Sequence, residues 1–381
     1  MVRLLRQYMV ISVSELGPDR GIVRGVIREP VGQSITWIKE SLGLVGYAAL
    51  FRRVENGSSE LEEHMIEFGP AAEVQSRAHN PALNIVLFLL TLFTTLLIGS
   101  LQQNGNPLLL RDLSENVYVQ ANYWRVLVQS LGSPNPLGLR DLLLGAPFAL
   151  ALLLILGSHE LGHYWAARHY GVDASLPYFL PIPHPLMGTM GAFIRIRSVI
   201  PNRRALVRLG VMGPLVGFLF AVPILVVGLR LSRVVPLEIA HGGIALGSSL
   251  LFGLLSKLIF PGLPAGYDIS LHPLAFAGWL GFFVTALNLI PIGQLDGGHI
   301  AYATVSRYQK PFQTAVLVAV TGLGFLWPGW FFWGILVTLL GLRHPRTQDE
   351  ITPLERSDWL LVLAAITVFV LAFIPVPFPR Q

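Results

Sequence analysis

The chain of 381 residues is 53% hydrophobic and only 13% charged, and its mean hydropathy is +0.59. Soluble proteins average roughly 25% charged residues, so this composition excludes an ordinary soluble domain and favours a membrane protein. The sequence contains no cysteine, which excludes disulfides and thiolate-bound metals. The net charge of +5 lies in short loops beside apolar runs, which is typical of membrane proteins and predicts no nucleic-acid partner.

Residues 1–80 predict a small soluble α+β domain followed by a linker. Short runs rich in strand-forming residues alternate with glycine and proline, which indicates strands bounded by turns. The expected order is βαββ, with a turn at Asn56-Gly57. The predicted elements are a strand over Gly21 to Ile27, a helix capped by Ser34 and ending near Leu44, strands over Tyr47 to Arg53 and His64 to Phe68, and a linker from Gly69 to Asn80.

Residues 81–381 predict a polytopic α-helical membrane core with about six transmembrane helices. Each predicted span is an apolar run approaching or exceeding the ~20 residues that cross a bilayer. The fifth run is interrupted at Trp327-Pro328-Gly329, where we expect a break or a hairpin that can divide two crossings. The run from Ile244 to Phe260 predicts an interfacial or re-entrant helix. The six spans are Leu83 to Leu101, Leu142 to Ala167, Ala205 to Leu229, Leu271 to Ile292, Thr314 to Leu342 and Trp359 to Ile374.

The distribution of arginine predicts the orientation of these spans. Positive residues between spans mark the cytoplasmic side of a membrane. A cluster of arginines lies between the second and third spans, so this loop and the N-terminal domain are expected to face the cytoplasm. The cluster consists of Arg195, Arg197, Arg203, Arg204 and Arg208.

A metal-binding motif lies in the later part of the second span. His159-Glu160-Leu-Gly-His163 places two histidines four residues apart, so both imidazoles point from one face of a helix and can bind one ion. Glu160 is then the candidate general acid and base. An accidental match is the alternative, but ionisable residues inside a membrane span are costly and are functional by default.

A catalytic zinc site needs a third protein ligand and an open fourth position. Asp296 is the leading candidate, because it ends the fourth span at the expected depth of His163 and two glycines follow it. Asp173, in the loop after the motif, is the second candidate. Glu238 and Asp268 are expected on the opposite side of the membrane.

The segment from Leu176 to Ser198 predicts a membrane-associated β-hairpin. Ala192 to Ser198 alternates between apolar and basic residues, as a strand does. Because backbone groups cannot remain unpaired against lipid, we expect the hairpin to face the catalytic cavity and to capture an unwound substrate segment by strand addition. An ordinary cytoplasmic hairpin is the alternative.

The two motifs together resemble the site-2 protease (M50-type) family of intramembrane zinc metalloproteases. The resemblance rests on His159-Glu-Leu-Gly-His163 with Asn288-x-x-Pro291 and Leu295-Asp296-Gly297, runs from about residue 80 to the C-terminus, and is closest to the prokaryotic and plastid-like branch without a PDZ domain. The chain departs from the commonest wording of the second motif at Gly293-Gln294.

This resemblance implies a fold, a reaction and a cofactor. It implies one zinc ion per chain bound by His159, His163 and Asp296, with Glu160 as acid and base and Asn288 as a catalytic residue near the substrate carbonyl. It also implies cleavage of transmembrane protein substrates within a lipid bilayer, in regulated intramembrane proteolysis. The expected location is a prokaryotic cytoplasmic membrane, and the oligomeric state stays open.

Two other functions remain as alternatives. A non-catalytic membrane module would not need all four polar residues of the motifs. A metal or ion transporter predicts several intramembrane carboxylates and inverted repeats, and the sequence has neither. Of the other histidines near the membrane boundary, His169, His184 and His272 are predicted to be structural, whereas His299 is a candidate for supporting the metal ligands.

Overall fold

The computed structural model describes residues 2–17, 20–54, 63–70, 80–103, 139–182, 184, 186–237, 245–305, 308–340 and 346–379. The predicted turn at Asn56-Gly57, most of the predicted linker before Asn80, and Glu238 lie outside these residues. The described part is mostly helical and contains three small sheets.

The N-terminal residues form one antiparallel sheet with the strand order β1-β2-β4-β3. Helix α2 packs on it through Ile35, Ile38 and Leu42, which share a core with Val23 and Ile66. The bounds are α1 Val2–Leu5, β1 Met9–Leu16, β2 Gly21–Ile27, α2 Val31–Leu44, β3 Tyr47–Arg53 and β4 His64–Pro70.

Two details of the predicted βαββ order were wrong. The sequence analysis missed β1, whose side chains are exposed or half-buried except for Met9, so it carries little of the burial signal that marks a strand. Helix α2 begins after Pro30, and Ser34 lies inside it. The Ser34 hydroxyl donates to the carbonyl of Arg28 at 2.9 Å and does not cap the helix.

A segment from the C-terminal third of the chain lies along the free edge of β3. The Phe51 amide donates to the Gln348 carbonyl at 2.9 Å, and the Gln348 amide donates to the Ile200 carbonyl at 2.9 Å. Ile351 completes the core of the N-terminal sheet. Gln348 therefore joins the sheet to the segment that precedes the third long helix of the chain.

Three described helices are long and apolar enough to cross a membrane. They are α3 (Ala82–Gln103), α5 (Ala146–His169) and α6 (Arg203–Leu231), and short α4 (Leu139–Leu144) precedes α5. The prediction of about six crossings is not confirmed, because α8 (Pro273–Leu289) and α12 (Arg356–Ala372) each have 17 residues. Helices α5, α6 and α8 pack against one another and form the centre of the membrane part.

The predicted break at Pro328 is confirmed. Helix α10 (Gln309–Gly322) and a 3₁₀ turn precede it, and α11 (Gly329–Leu340) follows. Gly334 lies against Thr321 and Gly324 lies against Phe331, so the two helices form an antiparallel hairpin. Each helix has fewer than the ~20 residues of a straight span.

The remaining elements connect the long helices. Between α5 and α6, β5 (Tyr178–Phe179) pairs with β6 (Ala192–Phe193), and a further bridge joins Ala174 to Ile196. The predicted hairpin is therefore present, but its regular strands are shorter than the alternation suggested. The other elements are β7 (Arg233–Pro236), α7 (Leu250–Ile259), β8 (Tyr267–Ser270) and α9 (Asp296–Val305).

Candidate metal centre

Three predicted ligands meet in one cluster. His159 and His163 lie on one face of α5, and their Nε2 atoms are 3.0 Å apart. The two Asp296 carboxylate oxygens lie 3.2 Å from these atoms, one from each histidine. Both histidines are buried, and the Asp296 side chain is only 14% exposed. The helical spacing of the motif thus brings the two imidazoles and a carboxylate 133 residues further along the chain together.

A backbone carbonyl fixes the orientation of His163. Its Nδ1 lies 2.7 Å from the carbonyl oxygen of Leu209 on α6, and only an N–H can donate there. In the neutral imidazole this bond leaves Nε2, which faces the cluster, as the unprotonated nitrogen that a metal requires.

Glycines of α6 make room for the histidines, and the sequence analysis missed them. A Cβ atom at Gly213 would lie 2.1 Å from the His163 Nε2, and one at Gly217 would lie 3.0 Å from the His159 Cβ. A Cβ at Gly162 of α5 would in turn lie 2.6 Å from the Met212 carbonyl of α6. The Gly-x-x-x-Gly spacing of 213 and 217 is the signal that predicts such a close helix contact.

A glycine-rich turn delivers Asp296 to the cluster. Gly293 has a positive φ of 59°, a conformation that glycine adopts without strain. A Cβ at Gly297 would lie 2.1 Å from the Leu289 carbonyl, so the chain can fold back from α8 into α9 only with glycine there. Gly297, one of the two glycines that follow Asp296, thus allows the tight turn that brings Asp296 to the cluster.

Glu160 and Asn288 lie beside the three ligands. Glu160 is buried on α5 and lines the same cavity as Ile194 of the hairpin. The Asn288 Nδ2 at the end of α8 lies 3.5 Å from the His159 Nε2. Both side chains line the same cavity of about 200 Å³. The Glu160 carboxylate, the Asn288 amide and the three candidate metal ligands therefore line one cavity.

The cavity has two walls of different construction. The ligand-bearing helices form the first, which we call the helical wall. Residues 192–196 of the β5–β6 hairpin form the second, the hairpin wall, with Ala192, Phe193, Ile194 and Ile196 facing the cavity. Gln294 and His299 also line it, and the position of His299 agrees with its expected role beside the ligands.

The other candidate ligands lie elsewhere. Asp173 belongs to the base of the hairpin, where its carbonyl accepts from the Arg197 amide, and it does not line the cavity. Asp268 lies on β8, where its side chain accepts from the Ile269 amide. His272 caps α8 by accepting from the Leu274 amide, and His169 stacks on Trp165. Burial in the hairpin loop lowers the pKa of His184 below its usual value.

The donor set fits zinc. Four-coordinate zinc holds nitrogen and oxygen ligands at about 2.0–2.2 Å, which separates the ligand atoms by roughly 3.3 Å. The observed separations of 3.0 and 3.2 Å are close to that value. Among the described residues, His159, His163 and Asp296 are the one group of histidine and acidic side chains arranged to share an ion.

A buried His-His-Asp group beside a glutamate, held by helices of membrane type, is an arrangement typical of the metal centres of metallopeptidases. Residues 147–328, which include the whole cluster, match the profile of peptidase family M50.

Curated relatives agree with this family. The chain is similar to the probable zinc metalloprotease EGY2, chloroplastic, of Arabidopsis thaliana, with 30% identity over 62% of this chain and 42% of the relative. It is also similar to the EGY2 protein of the same description from Oryza sativa subsp. indica, with 34% identity over 61% of this chain and 43% of the relative. A third relative is the probable zinc metalloprotease EGY1, chloroplastic, of Arabidopsis thaliana, with 34% identity over 60% of this chain and 43% of the relative.

The chain spans about two fifths of the length of the curated relatives it matches. These relatives are described as chloroplastic, so they do not support the predicted prokaryotic cytoplasmic membrane. No solved structure matches the chain.

Proposed function

We propose that the chain is an intramembrane zinc metalloprotease, which hydrolyses peptide bonds in or near the transmembrane segments of membrane-protein substrates in regulated intramembrane proteolysis. One observation carries the proposal: the buried cluster of His159, His163 and Asp296 lies in the same cavity as the Glu160 carboxylate. The three residues would hold the ion, and Glu160 lies beside them without belonging to the ligand group.

Different residues of the cavity can serve different steps of peptide hydrolysis. A zinc ion bound by the three ligands supplies Lewis-acid polarisation of the scissile carbonyl and of water. Glu160 accepts a proton from the attacking water as the new C–O bond forms, and it then donates this proton to the leaving amine as the peptide C–N bond breaks. The Asn288 amide is a donor for the developing oxyanion, a role that typically contributes 10²–10³ in kcat.

The hairpin wall offers a surface for the substrate backbone. A transmembrane helix satisfies its own backbone hydrogen bonds, so a protease must unwind it before hydrolysis. The unwound segment then has free amides and carbonyls, which can pair with the edge of β6 as an added strand. Ile194 and Glu160 line the same cavity, so a strand paired with β6 would lie close to the acid and base.

The orientation belongs to the same proposal. The arginine cluster at residues 195–208 lies at the catalytic end of α5 and α6, and the N-terminal sheet joins that end through Gln348 and Ile200. The positive-inside rule then gives the N-terminal domain and the catalytic end a cytoplasmic location. The lipid bilayer and transmembrane substrates are the expected partners.

The decisive variant is Glu160→Gln, because it removes the base and keeps the size of the side chain. We expect about one zinc per chain in both proteins and cleavage of a transmembrane reporter by the wild type alone. Purified protein in detergent, assayed for zinc content and for cleavage, gives both readouts. Equal cleavage by the variant would refute the role of Glu160, and a zinc-loaded wild type that cleaves no membrane substrate would favour a non-catalytic module.

A further inference from the structure

The two edges of the β5–β6 hairpin have different neighbours. The β6 edge faces the cavity that Glu160 also lines. The β5 edge faces the first long helix, α3, which carries none of the residues that line the cavity. The position of the hairpin wall therefore depends on a helix outside the chemistry.

A buried amide of α3 holds the base of the hairpin. Asn84 is 6% exposed, and its Nδ2 donates to the carbonyls of Leu176 and Pro177 at 3.0 and 2.9 Å. One helical turn later, Phe88 contacts the ring of Phe179 edge to face at 5.2 Å. These two contacts fix both the start of β5 and its second residue.

The far end of the same helix holds the tip of the hairpin. Gly188 has a positive φ of 72°, and a Cβ there would lie 2.7 Å from the Thr94 carbonyl, so the loop backbone lies directly on α3. The Gln102 Nε2 donates to the Leu186 carbonyl at 3.1 Å. Together with Asn84 and Phe88, these contacts follow about five turns of α3.

Burying the polar side chain of Asn84 in α3 costs free energy unless the amide forms hydrogen bonds. A buried amide in a helix of membrane type needs partners, and such residues usually bond to a neighbouring segment. Both donor bonds of Asn84 go to the hairpin, while its Oδ1 is buried and has no hydrogen-bond partner within the described ranges. A leucine would suit the helix better, so the amide is explained by the hairpin and not by α3.

We propose that Asn84 is a positioning residue of the protease: it fixes the β5 side of the hairpin to α3, so that the β6 edge is preformed beside Glu160 for the substrate strand. The inference rests on the proposed function. Asn84 does not touch the cavity, and it acts through the hairpin alone.

The test compares Asn84→Leu with wild type in the full-length, zinc-loaded protein. We expect KM for a transmembrane reporter to rise about tenfold and kcat to stay within about twofold, because the bound strand reorders the hairpin at a cost in affinity. Hydrogen exchange without substrate should be about tenfold faster at the amides of Ser175, Leu180 and Arg197, while zinc content stays at one per chain.

Two variants control for simple structural damage. Asn80→Leu removes the same residue type at the start of α3, where Asn80 accepts from the Ala82 amide, and it should leave KM and hairpin exchange unchanged. Asn84→Gln keeps a carboxamide and should restore part of the affinity. If Asn84→Leu does not accumulate as zinc-loaded protein, Gln102→Met decides, with an expected threefold rise in KM and faster exchange at Gly188.

The outcomes separate this inference from the proposed function. Unchanged KM and exchange in Asn84→Leu, or equal changes in Asn80→Leu, overturn the positioning role. A fall in kcat or zinc content without a change in exchange overturns it too. If the wild type cleaves no membrane substrate, the proposed function fails, and hairpin exchange alone then decides whether Asn84 anchors the hairpin.

Discussion

The helical wall of the cavity and its hairpin wall both line the metal cluster, but they are held in place in different ways. Helices α5 and α6 satisfy their own backbone bonds and approach closely through Gly162, Gly213 and Gly217. The hairpin has two paired residues in each regular strand and depends on hydrogen bonds from α3. The comparison indicates that the packing of α5 against α6 fixes the helical wall with its metal ligands, whereas α3 positions the hairpin wall.

The largest effect is expected at Asp296, the third ligand of the helical wall. Asp296→Ala removes the carboxylate that lies 3.2 Å from both imidazoles, so bound zinc and cleavage should both be lost. Asp173→Ala is the matched control, because Asp173 lies outside the cavity and should keep about one zinc per chain. Zinc retained by the Asp296 variant in elemental analysis would reject Asp296 as the third ligand.

Close packing behind the helical wall gives the next effect. Gly213→Ala places a methyl group 2.1 Å from the His163 Nε2, so the imidazole must turn away. Zinc affinity should therefore fall about tenfold to a hundredfold. Gly322→Ala is the control, since a Cβ at this helical glycine has nothing within 4 Å. Competition with a chelator measures both affinities. Equal affinity in the two variants would show that α6 tolerates a side chain at the metal centre.

Asn288 tests the chemistry of the cavity without removing a ligand. Asn288→Ala should lower kcat about a hundredfold and leave zinc content unchanged, because it deletes an oxyanion donor. Steady-state cleavage of the transmembrane reporter measures the loss. A rise in KM alone, with normal kcat, would assign Asn288 to substrate binding.

The hairpin wall should respond through affinity. Gly191 has φ of 99°, and its amide donates to the Thr189 hydroxyl, whereas proline requires φ near −65° and has no N–H. Gly191→Pro should therefore lower kcat/KM for a transmembrane substrate about tenfold or more and retain zinc. Gly191→Ala, which keeps the amide, should lose less. Intact cleavage in the proline variant would refute strand capture by the hairpin.

A contact remote from both walls should have the smallest effect. The Lys39 Nζ lies 3.3 Å from the Asp349 carboxylate, which also accepts from the amides of Ile351 and Thr352. Lys39→Met should cost about 1 kcal/mol of stability, as a partly exposed ion pair does, and leave catalysis unchanged. Thermal unfolding and cleavage assays measure both. A change in kcat/KM would instead connect the N-terminal sheet to the catalytic centre.

Local patterns in the sequence determined much of this protein. The four-residue spacing of His159 and His163 specifies one helical face, and Pro328 breaks the long apolar run where the structure has its helical hairpin. The scarcity of acidic residues in the apolar part made Asp296 the leading third ligand, and it lies in the cluster. These features depend on helix period, proline sterics and the cost of charge in a membrane. All three effects act within short stretches of sequence, so they can be predicted without the fold.

Tertiary structure decided the rest, because those contacts join residues far apart along the chain. Strand β1 has too few buried positions to stand out, and the edge of β3 is completed by residues 348–350, about 300 positions away. The glycines of α6 are explained only by the imidazoles that pack on them, and Asn84 only by the two hairpin carbonyls it binds. A short stretch of sequence contains only one of the two partners in each of these contacts. The sequence therefore shows that the residues are present, but only the folded chain shows which groups they contact.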